Sequence, residues 1–227
     1  MKRIAVFVGA FLVATPLYAV GFWAEGGVSA SRLSHKKWRM DMEADAWNGV
    51  TFGTELNTEG GGTLYGGDIS AGVSFGNFPL LMGVGLGYSA GSGKTVFKDT
   101  SDIVADTISK WDATMLTFRL PVSYRLNLGS SVILAGFYPV YTTFNLRDSV
   151  GDSTTKFTGT GGGMFLRGYY RMGPVGVGGG LFLDYVPGLT YREEGHDPDL
   201  GNYRTTWTIK DNVRVGIRIG VFYATGM

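Results

Sequence analysis

The residues of this chain that could do chemistry are charged side chains set into alternating polar and apolar segments. In the last segment, Arg214 and Arg218 alternate with Val215, Ile217 and Ile219. Successive side chains of a β-strand point to opposite faces, so this strand has one polar and one apolar face. The same separation recurs along the chain and predicts one set of charges on the polar faces: Glu25, Asp68, Arg119, Arg167, Asp184, Arg214 and Arg218.

Charges of both signs inside a protein either pair with one another or line a path for solutes. Glu25 and Arg218 lie at similar heights in the first and last segments, and Asp184 and Arg214 are related likewise in the last two. Because buried charges must be paired, we interpret the set as a salt-bridge network that fills the interior and serves structure. A conduction pathway through the same residues is the alternative.

The sequence gives little support for catalysis, and we expect no catalytic, cofactor or metal site. The two histidines, His35 and His196, both fall in segments predicted as loops. His196 and Asp197 form a possible acid–base pair, but they stand in an acidic stretch with Glu193 and Glu194, which favours a solvated surface. That stretch would at most hold Ca²⁺ weakly, since its spacing matches no EF-hand loop.

The first 19 residues are typical of a signal peptide. Lys2 and Arg3 precede an apolar stretch that is too short for a transmembrane helix, and a small residue, Ala19, ends a cleavage motif. The whole chain has 20 basic and 19 acidic side chains, a balance that gives no reason to expect nucleic acid. It has no cysteine, so an exported protein of this sequence needs a source of stability other than disulfides.

The rest of the chain, residues 20–227, predicts one all-β domain of eight antiparallel strands. The alternating segments are 21–33, 63–76, 80–91, 111–126, 132–144, 158–171, 175–186 and 205–223. Each is long enough to cross a bilayer as a tilted strand. Short turns at 77–79, 127–131 and 172–174 alternate with long polar loops at 34–62, 92–110, 145–157 and 187–204. This pattern favours a transmembrane β-barrel with extracellular loops and both termini in the periplasm.

Two further features predict which strand faces meet lipid. Six aromatic residues near strand ends have the parity of the apolar faces and are interpreted as interfacial girdles: Tyr88, Tyr124, Tyr170, Tyr185, Trp207 and Tyr223. Arg32, Asp112 and Asp211 share that parity, but they lie near the loop ends, where the cost of a lipid-facing charge fades. The fifth strand has no charge, and its facing stays undecided.

Residues 34–62 leave the strand count open between eight and ten. Alternating residues on both sides of Asn48-Gly49, a favoured type I′ turn, predict a hairpin. We favour an extension of the first two strands above the membrane, with Gly60-Gly61-Gly62 as a flexible joint. A bilayer crossing would instead place Arg39, Asp41 and their charged neighbours in the lumen of a ten-stranded barrel.

The signal peptide, eight segments, three short turns and four long loops together resemble the small outer-membrane barrels of the outer membrane protein A and X class. The ending is also similar to the signal that the barrel-assembly machinery reads, through Arg214, Gly216, Ile219 and Val221. It differs in continuing beyond Tyr223 to Met227, whereas these proteins usually end on an aromatic residue.

The resemblance implies a monomeric integral protein of the bacterial outer membrane that contacts outer-membrane lipid and the assembly machinery. The expected role is structural or surface interaction through the extracellular loops. A narrow channel or carrier for small solutes is the alternative, and a lipid-modifying enzyme is a third candidate.

Overall fold

The computed structural model describes residues 20–47, 50–75, 78–98, 107–148 and 154–225. The predicted signal peptide and the Asn48-Gly49 turn lie outside these residues. The described strands are β1 (Val20–Ala44), β2 (Thr51–Phe75), β3 (Phe78–Phe97), β4 (Thr107–Arg119), β5 (Val122–Leu128), β6 (Ser131–Asp148), β7 (Thr154–Met172), β8 (Val175–Asp197) and β9 (Gly201–Ala224). A 3-10 turn, Asp45–Trp47, follows β1. In the part of the chain that the structure describes, no helix is long and apolar enough to span a membrane.

The strands form one closed antiparallel sheet. The order is β2-β1-β9-β8-β7-β6-β4-β3-β5, and the additional pairings of β2 with β3 and β6 with β5 complete the ring. Strands β4 and β5 are two parts of one wall strand, so the ring has eight strands. Closure leaves each wall strand with hydrogen-bonded neighbours on both sides, which is how a barrel satisfies its backbone without a sheet edge.

The interruption between β4 and β5 falls at Leu120 and Pro121. Proline has no N–H to donate, so the ladder loses a hydrogen bond there. The register is the same on both sides, since Arg119 pairs with Val140 and Val122 pairs with Phe137. Backbone bonds from Leu120 N to Pro139 O (3.3 Å) and from Gly83 N to Pro121 O (3.0 Å) keep the neighbours attached. The fourth predicted segment is therefore one strand in space.

Two of the predicted tight turns have the geometry of two-residue hairpins. Gly129 follows β5 with a φ of 61°, and Gly173 follows β7 with a φ of 69°. A positive φ at the first central position is a feature of the primed turns that match the twist of paired strands, and glycine adopts it without strain. These turns lie at the same end of the barrel.

The outer surface carries an apolar belt, as the alternation predicts. Ile217, Ile219 and Leu181 are 56%, 65% and 58% exposed, whereas Arg218 is 3% exposed. Exposed tyrosines border the belt toward the turn end (Tyr124, Tyr170 and Tyr223) and toward the opposite end (Tyr65, Tyr88, Tyr141 and Tyr185). The facing of the fifth predicted strand, β6, is now settled, because Phe137 points out and Tyr138 points in.

Most of the residues predicted as long loops are strand. Strands β1 and β2 remain paired as far as Glu43 and Thr51, and β8 and β9 as far as Asp197 and Gly201. The predicted continuation of the first two strands within 34–62 is confirmed, whereas the expectation of a loop at 187–204 was wrong. That expectation required one apolar, lipid-facing side, but a strand outside the membrane needs only a paired backbone. The barrel continues beyond its belt as a four-stranded sheet of β2, β1, β9 and β8, which we call the sheet extension.

The sheet extension decides the strand count in favour of eight. Residues on both sides of the Asn48-Gly49 turn belong to β1 and β2 themselves and make no further wall strands. The Gly60-Gly61-Gly62 run is part of β2 and not a flexible joint. A side chain at Gly60 would collide with the ring of His35, which occupies the space above this glycine.

The assignment of Trp207 to the outer girdle was also wrong. Asp211 has a φ of 54°, a left-handed conformation in which an extended strand changes the direction of its faces. Asn212 and Ile209, on the two sides of Asp211, both point into the barrel. They are three positions apart, so strict alternation would have placed them on opposite faces. Trp207 therefore packs on the inside, where its ring lies 6.4 Å from that of Trp38.

Candidate functional site in the barrel interior

The seven predicted charges all point into the barrel. Their side chains are at most 7% exposed, and they come from β1, β2, β4, β7, β8 and β9. Each occupies a position of inward parity, so strand alternation alone places them on the interior face. Their mutual distances depend on the stagger between strands.

Glu25 is the carboxylate nearest the turn end. It forms salt bridges with Arg167 and with Arg218, whose Nη1 lies 3.5 Å from Glu25 Oε2. The Tyr169 hydroxyl donates a hydrogen bond to Glu25 Oε2 (2.9 Å) and accepts one from Arg218 Nη1 (2.8 Å). Tyr169 was missed in the sequence, although its inward parity beside Arg167 was visible.

Asp68 lies at the centre of the network. Its Oδ1 accepts a hydrogen bond from Arg218 Nε at 2.6 Å, and its Oδ2 is 3.6 Å from Arg119 and 4.0 Å from Arg167. A single carboxylate thus faces three guanidinium groups, an arrangement that strand alternation could not specify.

Asp184 is the third carboxylate and binds the upper part of the network. Its Oδ2 lies 3.4 Å from Arg119 Nη2 and 3.8 Å from Arg214 Nη1, and its Oδ1 accepts a hydrogen bond from the Tyr138 hydroxyl. Arg214 Nε donates to Ser31 Oγ at 3.0 Å. Both pairs that the sequence suggested, Glu25 with Arg218 and Asp184 with Arg214, are thus brought together.

Aromatic rings support the guanidinium groups from the side. Phe182 has Arg214 and Arg119 over its ring at 5.0 and 5.7 Å, and Phe165 has Arg167 at 4.2 Å. Such cation–π contacts favour a cation that has left water. These phenylalanines alternate with charged residues on the inward face, which is the signal by which they could have been found.

Little space remains among these side chains. One cavity of about 10 Å³ lies within the network, bordered by Gly67, Gly87, Phe182 and the arginines. That is roughly the space that one water molecule needs. Two nitrogens, Arg119 Nε and Arg218 Nη2, have no hydrogen-bond partner among the described residues. Four arginines face three carboxylates, so the network carries a net positive charge.

The fold as a whole is similar to those of known outer-membrane proteins. No family model and no curated protein matches the sequence. The structure is similar to the outer membrane protein OprG from Pseudomonas aeruginosa, at 16% identity and a TM-score of 0.53, over 92% of this chain and 98% of OprG. It is also similar to a major outer membrane protein from Thermus thermophilus, at 13% identity and a TM-score of 0.53, over 88% and 99% of the two chains.

The fold is that of an outer-membrane β-barrel. At these identities the likeness concerns the fold alone, and it confirms the class of barrel that the sequence resembles. The residues of the predicted insertion signal divide between the two faces of the last barrel strand: Arg214 and Gly216 point inside, while Ile219 and Val221 are exposed on the belt. Their recognition by the assembly machinery stays a prediction.

Apolar side chains fill the barrel on both sides of the charged network. Toward the turn end, Phe222 stacks on Tyr169 with ring centroids 5.3 Å apart. Toward the sheet extension, the Trp38 ring makes edge contacts with Phe97 and Phe157 at 5.9 and 5.8 Å. The buried residues beneath this aromatic layer are Leu33, Leu64, Trp111, Phe144, Val186, Leu189 and Ile209.

His35 is buried in this aromatic layer, beyond the membrane belt. It pairs with Gly60, five residues along β2 from the girdle residue Tyr65, which corresponds to roughly 12 Å above the girdle for a tilted strand. Its Nε2 lies 3.1 Å from Thr95 Oγ1, which also accepts a hydrogen bond from Trp111 Nε1. Burial lowers the pKa of His35 from 6.5 to about 4, because the charged form loses its hydration.

His196, the second histidine, lies on the surface of the sheet extension. Its Nδ1 is 3.2 Å from Asn202 Oδ1, while Asp197 Oδ1 accepts backbone N–H bonds from Asp199 and Leu200 in its own turn. His196 and Asp197 are thus each engaged with other groups. Among the described residues, no group of three or more histidine and carboxylate side chains could hold a metal ion.

Proposed function

We propose that this protein is an integral protein of the bacterial outer membrane, with both termini and the tight turns in the periplasm. The fold supports this, as does a belt of exposed apolar side chains between two rows of tyrosines. The sheet extension then stands outside the cell. The protein is a monomer, and outer-membrane lipid covers its apolar belt. The barrel-assembly machinery recognises the C-terminal strand and inserts the barrel.

The lumen in this proposal is plugged. The observation that carries it is the cavity of about 10 Å³ that lies between Asp68 and the four arginines of the network, with layers of apolar side chains above and below. An eight-stranded barrel is just wide enough for its own side chains to fill it. The salt bridges of the network then connect strands on opposite sides of the barrel, and the filled lumen does not let solutes pass.

The proposed role is structural or surface interaction through the sheet extension. Three large apolar residues that lie beyond the belt are strongly exposed: Phe52 (58%), Val50 (53%) and Ile108 (58%). Exposed apolar side chains outside the membrane are a common mark of interaction surfaces. Within the described residues, segment 53–56 of β2 pairs with β1 alone, so its second edge can form backbone hydrogen bonds to a partner.

A planar-bilayer recording tests the plug. The purified protein should give no steady conductance, and neutralising Asp184 or Arg214 should destabilise the barrel without creating a selective current. A steady conductance in the unmodified protein that changes in these variants would favour the narrow channel instead. We propose no catalytic role, and unchanged lipid composition in a deletion strain is the corresponding expectation.

A further inference from the structure

Among the described residues, the turn end of the lumen holds positively charged side chains and no acidic side chain. The segments that build this end are 20–24, 71–75, 78–84, 122–135, 168–178 and 219–225, and their only charged side chains are Arg125 and Arg171. The nearest interior carboxylate, Glu25, is already bound by Arg167, Arg218 and Tyr169.

Arg125 is the more unusual of the two arginines. It points into the barrel from β5 and is 6% exposed, yet its Nε and Nη1 have no hydrogen-bond partner among the described residues. Buried charged groups are normally paired, because an isolated charge loses its hydration without compensation. Every arginine of the central network follows this rule, since each has at least one carboxylate within 4.0 Å.

Arg171 lies at the same end of the barrel, since its backbone N–H donates to Ser130 O at 2.6 Å in the turn that follows β5, the strand of Arg125. The two arginines have like charge and no attraction for each other. Arg171 has inward parity on β7 and pairs across the sheet with Gly176, which has no side chain to fill the space beside it. Two guanidinium groups of like charge thus lie at the turn end of the lumen, and two nitrogens of Arg125 have hydrogen bonds left to donate. Deeper in the barrel the lumen is filled by side chains.

We propose that Arg125 and Arg171 form a binding site for a phosphate or carboxylate group at this end of the lumen. Guanidinium groups favour such anions because charge and hydrogen bonding act together. The group would enter from the turn end and stop at the layer of Tyr169 and Phe222. The site is independent of the sheet extension; only its assignment to the periplasmic side rests on the proposed orientation.

Inorganic phosphate is the probe for this site. The barrel, folded in a neutral detergent, is titrated with sodium phosphate and, for comparison, with sodium chloride at equal ionic strength, while thermal unfolding is followed. Phosphate should raise the unfolding midpoint beyond the effect of chloride, and the effect should saturate. R125Q should weaken the apparent affinity about tenfold or more, the factor expected for loss of a hydrogen bond between charged groups.

Arg32 provides the matched control, because it is an exposed arginine on the outer face of β1. R32Q should respond to phosphate as the unmodified protein does. An equal response of R125Q and R32Q, or no difference between phosphate and chloride, would overturn the proposal. Stabilisation by phosphatidylglycerol vesicles but not by free phosphate, again lost in R125Q, would identify a lipid headgroup as the source of the anion.

A second measurement uses only the unmodified protein, so it does not require R125Q to fold. In the unmodified protein, the Nε–H resonance of Arg125 should shift on addition of phosphate, whereas that of Arg214, which is bonded to Ser31, should not. A stationary Arg125 resonance would contradict the site even if phosphate changed the stability.

Discussion

Asp184→Asn should destabilise the barrel and leave Arg214 as the most affected partner. Asp184 lies 3.4 Å from Arg119 and 3.8 Å from Arg214, and these side chains are 6–7% exposed. Two unit charges at such distances interact by about 4 kcal/mol at an effective dielectric constant near 20. Removing one partner of a buried pair typically costs about 3–5 kcal/mol, and we expect a loss of that size.

The structure also predicts which second substitution restores stability. Arg119 keeps Asp68 at 3.6 Å when Asp184 is neutralised, whereas Arg214 has no second carboxylate within 4.0 Å among the described residues. Arg214 lies against Phe182 and Met115, so methionine fits its surroundings. D184N/R214M should therefore recover more stability than D184N/R119M, with a coupling of about 0.5–3 kcal/mol.

The assay is reversible urea unfolding in phospholipid vesicles, followed by tryptophan fluorescence and by gel mobility of the folded form. Asp41→Asn serves as the control, since the pair of Asp41 with Arg39 lies on the surface of the sheet extension and should matter little. Equal recovery by R119M and R214M would refute the assignment of Asp184 as the sole carboxylate partner of Arg214 among the described residues. Additive losses near zero, together with ion currents that depend on Arg214, would refute the plugged lumen.

Four further predictions concern other parts of the barrel. Ile217→Arg, on the exposed belt, should cost about 2–4 kcal/mol of folding free energy in vesicles while Ile217→Leu is tolerated, and equal stability of the two variants would contradict a lipid-facing position. A protease site inserted at Asn48-Gly49 should be cut in intact cells, whereas cleavage only after permeabilisation would reverse the proposed orientation. Because burial lowers the pKa of His35 from 6.5 to about 4, its unfolded form binds the proton first, so its contribution to stability should fall as the pH drops from 6.5 toward 4 and stay level below; the difference in unfolding free energy between the unmodified protein and His35→Gln should follow this slope, and a difference independent of pH would contradict it. Asp211→Ala should lose about 1–2 kcal/mol because alanine adopts a positive φ poorly, and Asp211→Asn, which tolerates it, should unfold at nearly the same urea concentration as the unmodified protein.

The sequence was sufficient to predict the barrel and the direction of its side chains. Alternation has a period of two along any single strand, so it places Ile217 outside and Arg218 inside without knowledge of a neighbour. The glycines at 129 and 173 likewise mark turns through a local backbone requirement. The seven interior charges could be found for the same reason, because each is a polar residue on the otherwise enclosed face of its own strand.

Only the tertiary structure decided which of these charges meet. Asp68 faces Arg119, Arg167 and Arg218 because closure of the ring and the stagger between strands bring distant parts of the chain to one height. The left-handed residue Asp211 reverses the faces of β9 and places Trp207 inside, which a strict alternation reads the other way. Of the sheet extension, the sequence predicted the continuing pair of β1 and β2 but not that of β8 and β9. A strand outside the membrane has no lipid to impose an apolar side, and its order depends on backbone pairing with neighbours that are remote in the chain.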